Sequence, residues 1–184
     1  MRIEFKAYAD DYTVGGATVF EGDRLSDFLE AVDEVEVDDV TVRALDDGRQ
    51  HDLPSAVIQR EDLCIVAATG PRGRADLRLR TRAYPMRAEV GPYAVVGYFH
   101  TLPTADPLAI AWRRRVVALR PVRLAFEVAG DAIEETHDAL LLIGTKITSF
   151  ESASDEAVGL SRALEAWMRR DGRAQDVTGE GSVA

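Results

Sequence analysis

The sequence predicts a mainly β protein of α+β character: two tandem small antiparallel barrel-like units, each with a short helix after its first strand, followed by a C-terminal amphipathic helix. Three observations carry that expectation. Apolar and polar residues alternate through most of the chain, the period of strands with one buried face. A shift of 82 residues lays one half on the other with apolar positions and turns matching. Near the end the pattern changes to helical spacing. The expected organisation is a first repeat unit over 1–70, a second over 71–151 that includes a linking strand, a helix over 152–172, and a disordered tail over 173–184.

At that shift Val14-Gly15 falls on Val96-Gly97, and Val35, Val37, Val40 and Val42 fall on Val117, Leu119, Val122 and Leu124. Gly48 then meets Gly130, Ile58 meets Leu140 and Ile65 meets Ile147. Each half opens on an alternating strand, Tyr12 to Phe20 or Tyr93 to Leu102. A short helix comes next. Asp23 can cap the first, with Leu25, Phe28, Leu29 and Val32 as its inward stripe. Asp106 can cap the second, with Pro107 at a position that needs no amide donor and Leu108, Ile110, Ala111 and Trp112 facing inward or toward the other half. Long strands Val35 to Leu45 and Val116 to Val128 succeed the helices, closed by turns at Asp46-Asp47-Gly48-Arg49 and Ala129-Gly130-Asp131. Two further strands end each unit, about 54–59 with 62–68 and about 137–143 with 145–151. In size and strand content the halves are similar to small-barrel proteins, a likeness of architecture that no motif here narrows to one family.

Gly70-Pro71-Arg72-Gly73 reads as the loop between the halves, leading into a strand from Arg74 to Tyr84, with breaks at Pro85 and at Gly91-Pro92. Ser152 or Ser154 can cap the terminal helix. Leu160, Leu164, Trp167 and Met168 share one of its faces, and Gly172 ends it.

Apolar residues make up 46 % of the 184 positions, enough to build a core. Signal-peptide features and spans long enough for a bilayer are missing from the pattern. The single Cys64, inside an apolar run, excludes an intrachain disulfide and fits a reducing compartment. Twenty arginines against Lys6 and Lys146 point to a GC-rich genome, so the expectation is a soluble, cytoplasmic, bacterial protein. The net charge of −10 is unevenly spread: residues 1–66 carry −11, residues 67–126 carry +8 and residues 127–184 carry −7. Such blocks must match each other, a second subunit or a charged partner.

Arg78, Arg80 and Arg82 alternate with Leu77 and Leu79, which puts the three guanidinium groups on one strand face. That ladder could pair with the alternating acids Glu34, Glu36 and Asp38, with another subunit, or with phosphates. Arg113 and Arg114, in the run that ends the second short helix, and Trp167 and Met168 on the terminal helix, complete the candidate binding residues. His51-Asp52 and His137-Asp138 recur late in each half, but neither pair comes with the further ligands of a zinc site or the nucleophile of a triad. Catalytic residues, metal ligands and cofactors are therefore expected to be none. The expected role is a non-enzymatic interaction or assembly module that binds itself or another protein. The alternative is an anion or RNA binder using the arginine face with Tyr84 or Tyr98 as a stacking surface. The overall negative charge disfavours duplex nucleic acid, and the acids of the terminal helix disfavour a membrane.

Overall fold

Strand-forming alternation dominates the chain, and the computed structural model, which describes residues 1–70 and 80–158, is correspondingly mainly β. β1 (Arg2–Ala9), β2 (Tyr12–Val19), β3 (Glu34–Ala44), β4 (Gln50–Gln59) and β5 (Leu63–Ala67) form the first half, with α1 (Leu25–Ala31) between β2 and β3. β6 (Arg82–Val90), β7 (Tyr93–Thr101), β8 (Val116–Val128), β9 (Asp131–His137), β10 (Leu140–Ile143) and β11 (Ile147–Ser152) form the second, with α2 (Pro107–Ala111) between β7 and β8 and α3 (Asp155–Val158) after β11. A 3₁₀ turn precedes β5 and another precedes β11.

All eleven strands belong to one antiparallel sheet, ordered β11-β6-β7-β8-β10-β5-β1-β2-β3-β4, with β9 also on β8. Among the described residues the path is open at β11 and β4, so the sheet is not closed, and it runs straight through the boundary between the halves. The physical reason is that β10 pairs with β5, Leu141 opposite Val66, and leaves no edge at the centre. Within the path the first half reads 5-1-2-3-4 and the second reads 11-6-7-8-10, so the order of strands recurs.

Ladder partners refine the internal register. Val14 pairs with Val42 and Val95 with Leu124, so β3 matches β8 at 82 residues while β2 matches β7 at 81. Val35 pairs with Ile58 and Val117 with Leu142, so β4 matches β10 at 84. Ala7 pairs with Val66 and Ala88 with Phe150, which places β5 on β11 at 84 as well. A constant shift of 82 holds only for β3 and β8: the connection before β8 is one residue longer than that before β3, and the hairpin after it two residues longer. Gly97 consequently matches Gly16 rather than Gly15. A side chain on Gly16 would meet the Asp38 carbonyl at 2.6 Å, and one on Gly97 the Pro121 carbonyl at 2.7 Å. Both glycines admit the neighbouring strand beside a bulge that interrupts the ladder in each half.

Several local expectations change. Each helix comes after the second strand of its half, because β1 and β6 come first. The cap position of α1 is Arg24, with no side-chain cap bond, whereas Asp106 caps α2 as its position implies, accepting from Leu108 N at 3.0 Å. Trp112 does not turn inward; it is 54 % exposed at the end of α2. Of the strand expected over 74–84, residues 74–79 lie outside the described residues; the described part enters β6, which starts at Arg82 and continues through Pro85. Proline is tolerated there because the β11 ladder stops opposite Met86, one residue later in the chain. β4 likewise runs through Pro54, which an outermost strand can accept. The terminal helix over 152–172 is described only at Asp155–Val158; its apolar stripe, with Trp167 and Met168, lies outside the described residues.

The core is shared across the boundary. Leu63 and Val66 of β5 pack with Leu141, Ile143 and Val116 of the second half, while Cys64, Ile65 and Ala67 join the cluster built around β7 and β8. Every residue of β5 and of β10 is buried. Such continuous apolar strands are what a position sandwiched on both faces requires.

Candidate functional site

The centre of the sheet brings together side chains far apart in sequence. Alternation along β1 puts Lys6 and Tyr8 on one face, and alternation along β9 does the same for Glu135 and His137. Lys6 Nζ lies 2.7 Å and Tyr8 Oη 2.5 Å from the same oxygen, Glu135 Oε2. His137 Nε2 is 2.9 Å from that oxygen and 3.0 Å from Tyr8 Oη. Burial pushes the Glu135 carboxyl up, but the hydrogen bonds from Lys6 and Tyr8 outweigh it and hold the group below the usual carboxylate range. Burial pulls His137 below its ordinary value against the pull of Glu135, and burial followed by Glu135 drives the Tyr8 hydroxyl far upward. At neutral pH the cluster is an ionised carboxylate held by an ammonium, a protonated phenol and a neutral imidazole. That set fastens β1 to β9.

A second fastener lies close by. Lys146 Nζ is 2.6 Å from Asp10 Oδ2, and the Cys64 thiol donates to Asp10 Oδ1 at 3.2 Å. Lys146, then Cys64, hold Asp10 below its ordinary value. Burial, and next Asp10, push Cys64 up to about 12, so it serves as a small core side chain rather than a reactive thiolate.

Beside this joint runs an open groove of about 1010 Å³. Leu45, Ala94, Phe126 and Ile133 supply apolar lining, with Asp11 and Asp46 among its acids. None of the four residues of the Glu135 cluster lines it. Its acids would repel a phosphate. Among the described residues no group of three or more His, Cys, Asp or Glu is placed to hold a metal ion, and no helix is long and apolar enough to cross a membrane.

The described residues singled out by sequence for binding stand in two places, Arg80 and Arg82 at the start of β6 and Arg113 and Arg114 after α2. Arg78, Trp167 and Met168 lie outside the described residues. Arg80 is exposed just before β6, and Arg82 opens β6 with its guanidinium 5.2 Å from the centre of the Tyr84 ring. Pairing of the arginine row with Glu34, Glu36 and Asp38 does not occur at Arg82, because β6 is flanked by β11 and β7 while the acids stand on β3 between β2 and β4. Glu34 instead accepts from Gln59 at 2.8 Å, and Arg2 lies 3.6 Å from Asp38 and 2.7 Å from Asp39. Arg113 and Arg114 are exposed after α2, and the next residue, Arg115, donates to the Glu30 carbonyl at 3.4 Å. His51 is exposed on β4, and His137 is oriented by Glu135. Lys6, Tyr8 and Glu135 carried no sequence signal, since the contacts span 127 to 129 positions.

Comparison of the chain with protein-family models, curated proteins and solved structures returned no match.

Proposed function

We propose that the chain is a non-enzymatic interaction and assembly module, a tandem of two small barrel-like units that associate by their strand edges. The observation that carries this reading is the central joint, where β10 of one half completes the sheet of the other. Edge-to-edge strand addition is a general mode of protein recognition, and the path leaves β4 and β11 as its two ends. The recurring strand order and the paired glycines Gly16 and Gly97 support the tandem origin. Segregated charge would orient the partners, with apolar burial at the edges supplying affinity. The joint also accounts for the buried titratable groups, which fasten strands together. Light scattering tests the reading: the mass of the full chain exceeds one copy at micromolar concentration and falls when salt is raised from low to physiological. A salt-independent monomer throughout would overturn it.

The stack of Arg82 on Tyr84 favours one second reading, an anion- or RNA-binding protein using Arg78, Arg80 and Arg82. Replacing the three arginines by glutamine would then abolish binding of a fluorescent single-stranded RNA while leaving the unfolding curve unchanged.

A further inference from the structure

The two ends of the sheet are the repeat counterparts of the two strands that pair at its centre. β10 corresponds to the last part of β4, since Leu142 and Ile58 occupy the same ladder position against Val117 and Val35. β5 corresponds to β11, since Val66 and Phe150 occupy the same position against Ala7 and Ala88. Within the chain, then, one half's fourth-strand edge is satisfied by the other half's fifth strand. Among the described residues, the remaining copy of each edge has no strand beside it.

Burial records the difference. Leu141 is 3 % exposed because β5 covers it, whereas its counterpart Val57 is 58 % exposed. All of β5 is buried, whereas Thr148, Glu151 and Ser152 of β11 are exposed. Charge adds a direction. Residues 1–66, which end the sheet at β4, hold six basic and seventeen acidic groups, a net of −11. Residues 67–151, which end it at β11, hold twelve basic and nine acidic groups, a net of +3. Contact of β4 with β4 would oppose two strongly acidic halves, while contact of β4 with β11 opposes unlike ones.

We infer that a second copy of this chain docks head to tail, its β11 adding to the free edge of β4 in the register of the central β10–β5 joint. That register puts Ala56 of one copy opposite Glu151 of the next, Val57 opposite Phe150, and Ile58 opposite Ser149. The counterparts of Lys6, Tyr8 and Glu135 are Arg87, Glu89 and His51, so the central fastener is replaced by Glu89 of one copy facing His51 of the other. Such an interface joins unlike surfaces and repeats, giving a ring where the rotation closes and a filament where it does not. The inference rests on the assembly reading above and names its partner and contact.

Two variants test it in the full chain. Directly opposed residues of an antiparallel pair have Cα atoms about 4.5–5.5 Å apart, within reach of a disulfide. Chains carrying Ala56→Cys mixed with chains carrying Glu151→Cys should cross-link under mild oxidation, while neither chain cross-links with itself through those positions. Val57→Asp should weaken association by about tenfold or more, while Leu102→Asp, an exposed apolar site away from both edges, leaves it unchanged. Assembly that persists without the mixed cross-link and is indifferent to Val57→Asp would overturn this inference yet keep the assembly reading. A strict monomer overturns both. A chain that assembles only after residues 159–184 are removed has its own tail on the edge, and this also overturns the inference.

Discussion

β5 and β11 hold the same place in their halves, yet one is Leu-Cys-Ile-Val-Ala and wholly buried while the other is Ile-Thr-Ser-Phe-Glu-Ser and buried only at Ile147 and Phe150. The same contrast separates β10, four buried apolar residues, from the matching end of β4, Ala-Val-Ile-Gln, where Ile58 alone is buried. A strand with neighbours on both sides and protein on both faces has no use for polar side chains. An edge strand does, because an apolar edge invites indiscriminate pairing. The difference teaches that the central joint is a permanent part of the fold and that any joint made at the ends is weaker and reversible, since it buries fewer apolar groups.

The sharpest way to break that comparison is to place one charge at matching positions. Leu141→Asp puts a carboxylate into the central joint and is expected to cost about 4 kcal/mol or more, enough to unfold the chain or part the halves. Val57→Asp, at the equivalent edge position, is expected to shift the stability of the dilute protein by no more than about 0.5 kcal/mol. Urea unfolding of the two variants checks both, and equal losses would erase the distinction between joint and edge.

Acid should loosen the centre by a smaller amount. The folded pKa of His137 is lowered by burial, so between that value and its ordinary 6.5 the unfolded chain binds the extra proton. Its contribution is complete above 6.5 and declines as pH falls below it. Glu135, also lowered on balance, gives stability that is present above its ordinary 4.5 and lost as pH falls through the folded value. Both signs agree: unfolding curves between pH 7.5 and 4 should show stability falling. His137→Gln should flatten the upper part of that fall, and an unchanged slope in this variant would remove His137 from the fastener.

Much of the scaffold was readable because period and turn chemistry are local. The hairpin at Ala129-Gly130 has φ of 52° and 83°, the positive values that its turn demands, and the Asp106-Pro107 helix start is where the pattern puts it. Val35, Val37, Leu119 and Leu124 are core residues as their alternation implies. Which edges meet could not be read. The apolar runs 63–67 and 140–143 signal burial but name no partner, so two barrel-like units and one continuous sheet fit the pattern equally well. The pairing of β10 with β5 decides for one sheet, through contacts more than seventy residues apart. His137 stood out in the sequence, but its partners Lys6, Tyr8 and Glu135 escaped for the same reason, because each of them alone looks like an ordinary strand position. The arginine row was legible as chemistry, but that Arg82 stands on a strand away from Glu34, Glu36 and Asp38 was not, because strand order is a tertiary property.

Amide hydrogen exchange at two protein concentrations tests the central claim most directly. Ile65 and Leu141 should exchange slowly at both concentrations, as parts of a permanent joint, while Val57 and Thr148 exchange fast in dilute solution and become protected when the protein is concentrated. Fast exchange at Ile65 and Leu141, or edge amides whose protection ignores concentration, would contradict the account.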